Sequence, residues 1–332
     1  MAKREVGIPA EQLREGARLY EEGTLLVSRS DYRAAIDSFH RAMRVTFPDA
    51  LIWNEIAYCY LMLKDNENCR SALNSGLDAD PENTDCMHNL ALLLRDEEEF
   101  AEAEDLLTKA TELQPSQSRN WRTLGSVLFE QGEYVRALKA FATGSGLAPN
   151  EPKAHYNMAL VLERLKENER AESEFIRAVE LAPRGAGIHA DYGRFLARRK
   201  RFTDAGTFLR KAVEYDPTNF WYLTDLAAVM IQQIEDQGEN PDDSLIDEVL
   251  RVLSKTTKLE PGYGKTWFLW GAIEYKLKRY RDSEAYIRTA LDCGYDDPWA
   301  YVILSAALVE LGRKQEADEM FEAYRRRTEG EQ

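Results

Sequence analysis

Apolar and polar positions along the chain follow the spacing of a helix face, and the helical pattern itself recurs. Within residues 118–151, Trp121, Leu124, Gly125 and Leu128 stand at i, i+3, i+4 and i+7, one face of a helix. Ala137, Phe141 and Gly144 obey the same rule further on. Gln131-Gly132-Glu133 between the two faces reads as a turn, and Ala148-Pro149-Asn150 closes the second. Proline has no amide donor and disfavours helix in the residue before it, so it ends the run. The stretch therefore predicts two antiparallel helices.

The same arrangement returns with a fixed period. Pro81, Pro115, Pro149, Pro183 and Pro217 are each 34 residues apart, and Pro261 follows after 44. The period divides the chain into nine units: 16–49, 50–83, 84–117, 118–151, 152–185, 186–219, 220–263, 264–297 and 298–331. The eighth slot is small in every unit: Gly23, Ala57, Ala91, Gly125, Ala159, Gly193, Ala227, Gly271 and Ser305. The twentieth holds Ala35, Cys69, Ala103, Ala137, Ala171, Ala205, Val249, Ser283 and Ala317. The twenty-fourth is bulky throughout: Phe39, Leu73, Leu107, Phe141, Phe175, Leu209, Leu253, Ile287 and Phe321. Small residues let paired axes approach and bulky ones fill the space beside them. No single pair buries its own apolar face, so stacked pairs must share one core.

The pattern Trp121-x-x-Leu124-Gly125, then Tyr134-x-x-Ala137-x-x-x-Phe141, then Pro149 resembles the tetratricopeptide repeat signature over nearly the whole chain. The resemblance implies an all-α fold: a right-handed α-solenoid superhelix whose first helices line a concave surface. It predicts a single array over 16–331, with residues 1–15 as an N-terminal extension of the first helix starting at Pro9, and a fraying polar tail over 325–330. Departures are local. Leu19 and Glu22 occupy first-helix slots of the first unit, and Phe47 stands where proline is expected. The eighth unit has Trp270 beside Gly271 and Tyr295 in the proline slot, with Pro298 three residues later. The seventh carries ten extra residues around 237–243, expected to lengthen one first helix and its turn into an acidic spur.

Composition narrows the function. The repeats leave no room for a separate catalytic domain in 332 residues. Lys and Arg number 43 against 58 Asp and Glu, a net charge of −15, which repels nucleic-acid phosphates and anionic membrane surfaces. No apolar run is long enough to span a membrane, and the start lacks the apolar run of a secretory signal. Four cysteines do not make a disulfide framework, so a reducing, cytoplasmic setting is expected.

Motifs for chemistry are weak, and no cofactor or metal is expected. Gly264-Lys265-Thr266 ends like a phosphate loop, but Leu259 stands where its first glycine belongs and no strand precedes it. Asp78-Ala79-Asp80-Pro81-Glu82-Asn83-Thr84-Asp85 lacks the glycine and the closing glutamate of a calcium loop. His155 and His189 share slot 4 with Trp53, Trp121 and Trp267, a packing slot, and no paired ligand spacing for zinc exists. Cys59, Cys69 and Cys86 cluster, and Cys69 replaces a small core residue; a redox switch at Cys59 or Cys86 is the competing reading. No residue has the context of an activated nucleophile.

Function is therefore expected in the groove. In the geometry that the resemblance implies, slots 2, 5, 6, 9, 12 and 13 of each first helix face it. In units four to six these slots hold Arg119, Arg122, Lys153, Arg164, Arg194 and Arg198 against Glu130, Glu163 and Asp191, a locally basic patch in an acidic chain. Arginine pairs in bidentate fashion with carboxylates, so an acidic peptide ligand is one expectation. An internal ladder of ion pairs is the other. Tyr156 shares this face. Slot 6 carries Asn89, Asn157, Asp191 and Asp225, and an asparagine pairs with both groups of a peptide backbone. Thr123 interrupts that series, so the asparagine ladder of the O-linked sugar transferases is not expected. The carboxylate clamp of chaperone-tail-binding repeats is missing as well, since Arg122 and Ser126 are followed by Asn157 but then by Gly187 and Asp191. Toward the C-terminus Trp221, Ala228, Ile231, Phe268, Leu269, Ala272, Tyr275, Trp299 and Val302 make the slots apolar, suited to an amphipathic helix, to packing between repeats, or to self-association. The reading is a non-enzymatic scaffold or adaptor binding a peptide segment of a partner protein. The alternative is a secretion- or assembly-type chaperone shielding a hydrophobic segment.

Overall fold

The computed structural model describes residues 9–46, 49–238 and 242–329. They form eighteen helices, with no strand among the described residues. The chain divides into two compact units, Met1–Leu181 and Ala182–Gln332. In the first, α1 (Ala10–Ser28) pairs with α2 (Tyr32–Val45), and α3 (Ala50–Met62) with α4 (Asn66–Ala79). There follow α5 (Thr84–Asp96) with α6 (Phe100–Leu113), α7 (Ser118–Glu130) with α8 (Tyr134–Leu147), and α9 (Pro152–Arg164) with α10 (Asn168–Leu181). The second holds α11 (Ala186–Arg198) with α12 (Phe202–Tyr215), α13 (Phe220–Asp236) with α14 (Asp243–Leu259), α15 (Gly264–Lys276) with α16 (Tyr280–Asp292), and α17 (Pro298–Glu310) with α18 (Lys314–Glu329).

The helix ends follow from the sequence. Second helices stop two residues before the repeating prolines, at Ala79, Leu113, Leu147, Leu181, Tyr215 and Leu259. The intervening residues Asp80, Gln114, Ala148, Asp216 and Glu260 lie at φ −130° to −140° and ψ 71° to 95°, the backbone region into which a following proline pushes its neighbour. First helices end in a tight reversal at slot 15, with positive φ at Ser30, Lys64, Glu98, Gly132, Lys166, Lys200, Lys278 and Gly312. There the amide of the next residue reaches back into the helix, as in Asp31 N to Leu26 O at 3.0 Å and Glu99 N to Leu94 O at 2.8 Å.

Size sorting closes each pair. A Cβ added at Gly23 would lie 2.5 Å from the Phe39 ring, and one at Gly125 would lie 2.7 Å from Phe141. Gly193 and Gly271 face Leu209 and Ile287 in the same way. The bulky slot 24 is buried from Phe39 through Ile287, but Phe321 is 47% exposed, because no further helix pair covers α18 among the described residues.

Two details differ from the sequence reading. Pro9 lies just ahead of α1 rather than inside it, and the helix begins at Ala10. Residues 1–8 and Phe47 lie outside the described residues, as do residues 330–332 at the end of the tail. The seventh-unit insertion lengthens both helices of its pair, not only the first: α13 and α14 each have 17 residues, with Asp242 capping α14 through the Ser244 amide at 2.9 Å. Most of the expected spur is thus helix, and residues 239–241 at its tip lie outside the described residues.

Candidate functional site

Motifs with catalytic or metal overtones resolve into packing. Gly264 opens α15 where a Cβ would meet the Ala290 carbonyl at 2.8 Å, and Thr266 is buried with its hydroxyl 3.1 Å from that of Thr224. This threonine is a core group rather than a phosphate ligand. In the calcium-like stretch, Asp80 accepts from the Glu82 amide at 3.1 Å, an ordinary turn contact. No group of three or more His, Cys, Asp or Glu among the described residues is placed to hold a metal. Slot 4 explains His155 and His189. Trp121 and Trp267 donate their indole N–H to the carbonyls of Pro115 and Pro261, each at 2.8 Å. His155 Nε2 lies 3.1 Å from the Pro149 carbonyl, while its Nδ1 lies 2.7 Å from Glu174. Histidine there substitutes for tryptophan. Cys59, Cys69 and Cys86 are buried, and burial pushes each thiol up to about 11, far from the reactive thiolate range.

First helices lie beside one another within each unit, α3 by α5 by α7 by α9 in the first and α13 by α15 by α17 in the second. Their free faces carry the sequence-derived candidates, and the arginines there are largely engaged internally. Arg119 pairs with Asp85, and Arg122 with Glu151. Arg194 is held by Asp191 and by Asp225, the latter at 2.6 Å. Burial works against the Arg194 charge, and the two carboxylates more than offset it, so the guanidinium is held even more firmly protonated than usual. Arg164 is exposed and lies 5.8 Å from the Phe129 ring centroid. Lys153 and Arg198 are exposed. Glu151 is a partner that the slots overlooked, since it sits just before α9, ahead of slot 1.

Slot-6 amides behave unevenly. Asn89 donates to Asn54 Oδ1 at 2.7 Å, tying α5 to α3, while Asn157 is half-buried on α9. Tyr156 packs edge-on to Phe175 at 6.4 Å. Among the C-terminal apolar candidates, Ile231 and Leu269 are buried and belong to the core. Phe268 is half-buried against Tyr295 at 5.1 Å. Tyr295 fills the missing-proline slot, its hydroxyl 3.2 Å from Asp297, and burial pushes its phenol up. Trp221 and Trp299 are open to solvent, at 55% and 62%.

One patch escaped the sequence reading. On α3, Leu51, Tyr58, Leu61 and Met62 are 41–56% exposed. The signal was available: α3 reads Ala-Leu-Ile-Trp-Asn-Glu-Ile-Ala-Tyr-Cys-Tyr-Leu-Met, apolar nearly all round, and such a helix at a surface must leave apolar groups in water.

The sequence matches the model of the tetratricopeptide repeat over residues 20–84, 88–152 and 156–220. No curated protein matches it. Among solved structures, the C-terminal part of a TPR repeat-containing protein from Cytophaga hutchinsonii is similar at TM-score 0.57 and 17% identity, covering 74% of this chain and 97% of that one. Pseudomonas aeruginosa pilF gives 0.56 and 17%, with coverages of 64% and 96%. A tetratricopeptide repeat protein from Parabacteroides merdae gives 0.54 and 16%, with coverages of 78% and 98%. At such identities the structural likeness speaks for the fold alone. The repeat model, however, matches more than half of the chain, over the same helix pairs that the prolines mark out, and the chain belongs to the tetratricopeptide repeat family.

Proposed function

We propose that the protein is a non-enzymatic scaffold that binds a segment of a partner protein on its first-helix faces, chiefly by covering apolar side chains. The repeat fold supports a protein-interaction role. The observation that carries the finer reading is a contrast on those faces. The arginines that would recognise an acidic ligand already have carboxylate partners, as at Arg119, Arg122 and Arg194. Trp221 and Trp299, on first helices of the second unit, stand more than half exposed instead. Exposed tryptophans are the side chains that most often anchor a protein interface once covered. This weighting favours the shielding of a hydrophobic segment over neutralisation of an acidic one.

The test starts from a partner recovered with the full chain from native extract and identified by mass spectrometry. Its affinity is then measured across ionic strength and against Trp221→Ser and Trp299→Ser. Apolar docking predicts a loss of about tenfold or more for each substitution and a weak salt dependence, because screening acts only on charge. Steep weakening with salt, with both tryptophan variants unchanged, would return the reading to the arginines.

A further inference from the structure

We propose that the free face of α3 takes a partner segment in which an aliphatic or aromatic side chain sits beside a lysine or arginine, with the apolar group entering the cavity between α3 and α5 and the cation meeting Glu55. The inference rests on the protein-interaction reading above and specifies the chemistry of the partner.

Leu51, Glu55, Tyr58 and Met62 stand at i, i+4, i+7 and i+11, so they form one stripe along α3. The three apolar members are 56%, 44% and 41% exposed. Beside the stripe lies a cavity of about 210 Å³ whose apolar walls include Leu61, Leu73, Leu92 and Leu93. It is smaller than the roughly 300–1,000 Å³ of drug-sized ligand sites, so its size fits one apolar side chain. Asn89, fixed by its hydrogen bond to Asn54, supplies a polar edge.

Glu55 sets the charge of the occupant. It sits mid-stripe, half-buried, with no hydrogen bond or ion pair among the described residues. Burial alone pushes its carboxyl up. A carboxylate held among apolar groups without a partner is costly, and an incoming cation relieves that cost. The nearby Arg95 at the cavity wall is taken by Asp96 at 2.7 Å. A net charge of −15 favours the approach of a basic segment, whereas the arginines of α7 are closed by their own carboxylates.

The test selects peptides from a displayed library of random short sequences on the full chain, then measures the synthesised consensus by fluorescence anisotropy. The expected consensus pairs Leu, Phe or Trp with Lys or Arg. Glu55→Gln and Leu61→Ser should each weaken it by about tenfold or more, and Arg122→Gln should leave it unchanged. Circular dichroism checks that each variant is folded. Glu55→Lys should lose the consensus peptide yet bind a version with glutamate in place of its basic residue, a rescue that general damage would not give. An acidic consensus weakened by Arg122→Gln but not by Glu55→Gln overturns this inference and leaves the interaction reading standing. A basic consensus indifferent to Leu61→Ser overturns it as well. If no selected peptide responds to any first-helix variant, both readings fall.

Discussion

At the scale of single residues, the fold is held by pairs of slots that the period brings together. Gly125 and Phe141 are the clearest case, since the ring occupies the volume that a side chain at 125 would need. Gly125→Val should therefore destabilise the protein by about 1–3 kcal/mol, the usual cost of overpacking a closed core, measured by urea denaturation. An unchanged midpoint would mean that the two helices separate freely. The sequence displayed this pairing through its small and bulky slots. It did not display His88, which is 7% exposed, with Nδ1 lacking a partner among the described residues. Burial lowers its pKa from 6.5, Asn120 opposes that shift, and Arg122 and Arg95 reinforce it. A depressed basic group binds fewer protons folded than unfolded, so stability is full above about pH 6.5 and falls as pH drops toward the folded pKa. One proton changes stability by at most about 1.4 kcal/mol per pH unit. His88→Gln should shallow the loss of stability on acidification below pH 6.5, measured by thermal melts across pH; an identical slope would remove His88 from the account.

At the scale of elements, the turn after each first helix carries a recurring strain. Slot 15 adopts a left-handed backbone, yet six of the eight such residues are not glycine: Ser30, Lys64, Glu98, Lys166, Lys200 and Lys278. A side chain there costs about 1–2 kcal/mol relative to the right-handed region, partly offset by the freedom glycine has when unfolded. Ser30→Gly, at φ 62° and on the surface, should raise stability by about 0.5–1 kcal/mol by denaturant titration. A decrease would show that the serine makes compensating contacts. The turn position was legible from the period, and its handedness was not, because most residues there give no local sign of it. The lengthening of α13 was legible in the insertion, and that of α14 was not. Its Gly, Asn and Pro suggested a loop, while its flanks continue α13 and begin α14 over the buried Ile234 and Leu245.

At the scale of the whole molecule, charge and apolar exposure act against each other. The net charge of −15 opposes association of copies near neutral pH, while Leu51, Tyr58, Trp221 and Trp299 are exposed apolar groups that favour it. Near the sequence isoelectric point of about 4.9 that repulsion vanishes. Sedimentation velocity should then show self-association that is absent at neutral pH; a monomer at both would mean that the exposed groups are too scattered to cohere.

The period, the helix pairs, the proline stops and the small-against-bulky packing were all written in the sequence, because each arises from neighbours within one repeat. The partners of the first-helix arginines were not. Arg119 meets Asp85 from 34 residues earlier, Arg122 meets Glu151 from 29 later, and Arg194 meets Asp225 from 31 later. A slot count records which face a charge occupies but not the reach of a long side chain into the next repeat. The tertiary structure alone decided that Arg119, Arg122 and Arg194 meet carboxylates of neighbouring repeats and that Glu55 on α3 has no counterion among the described residues.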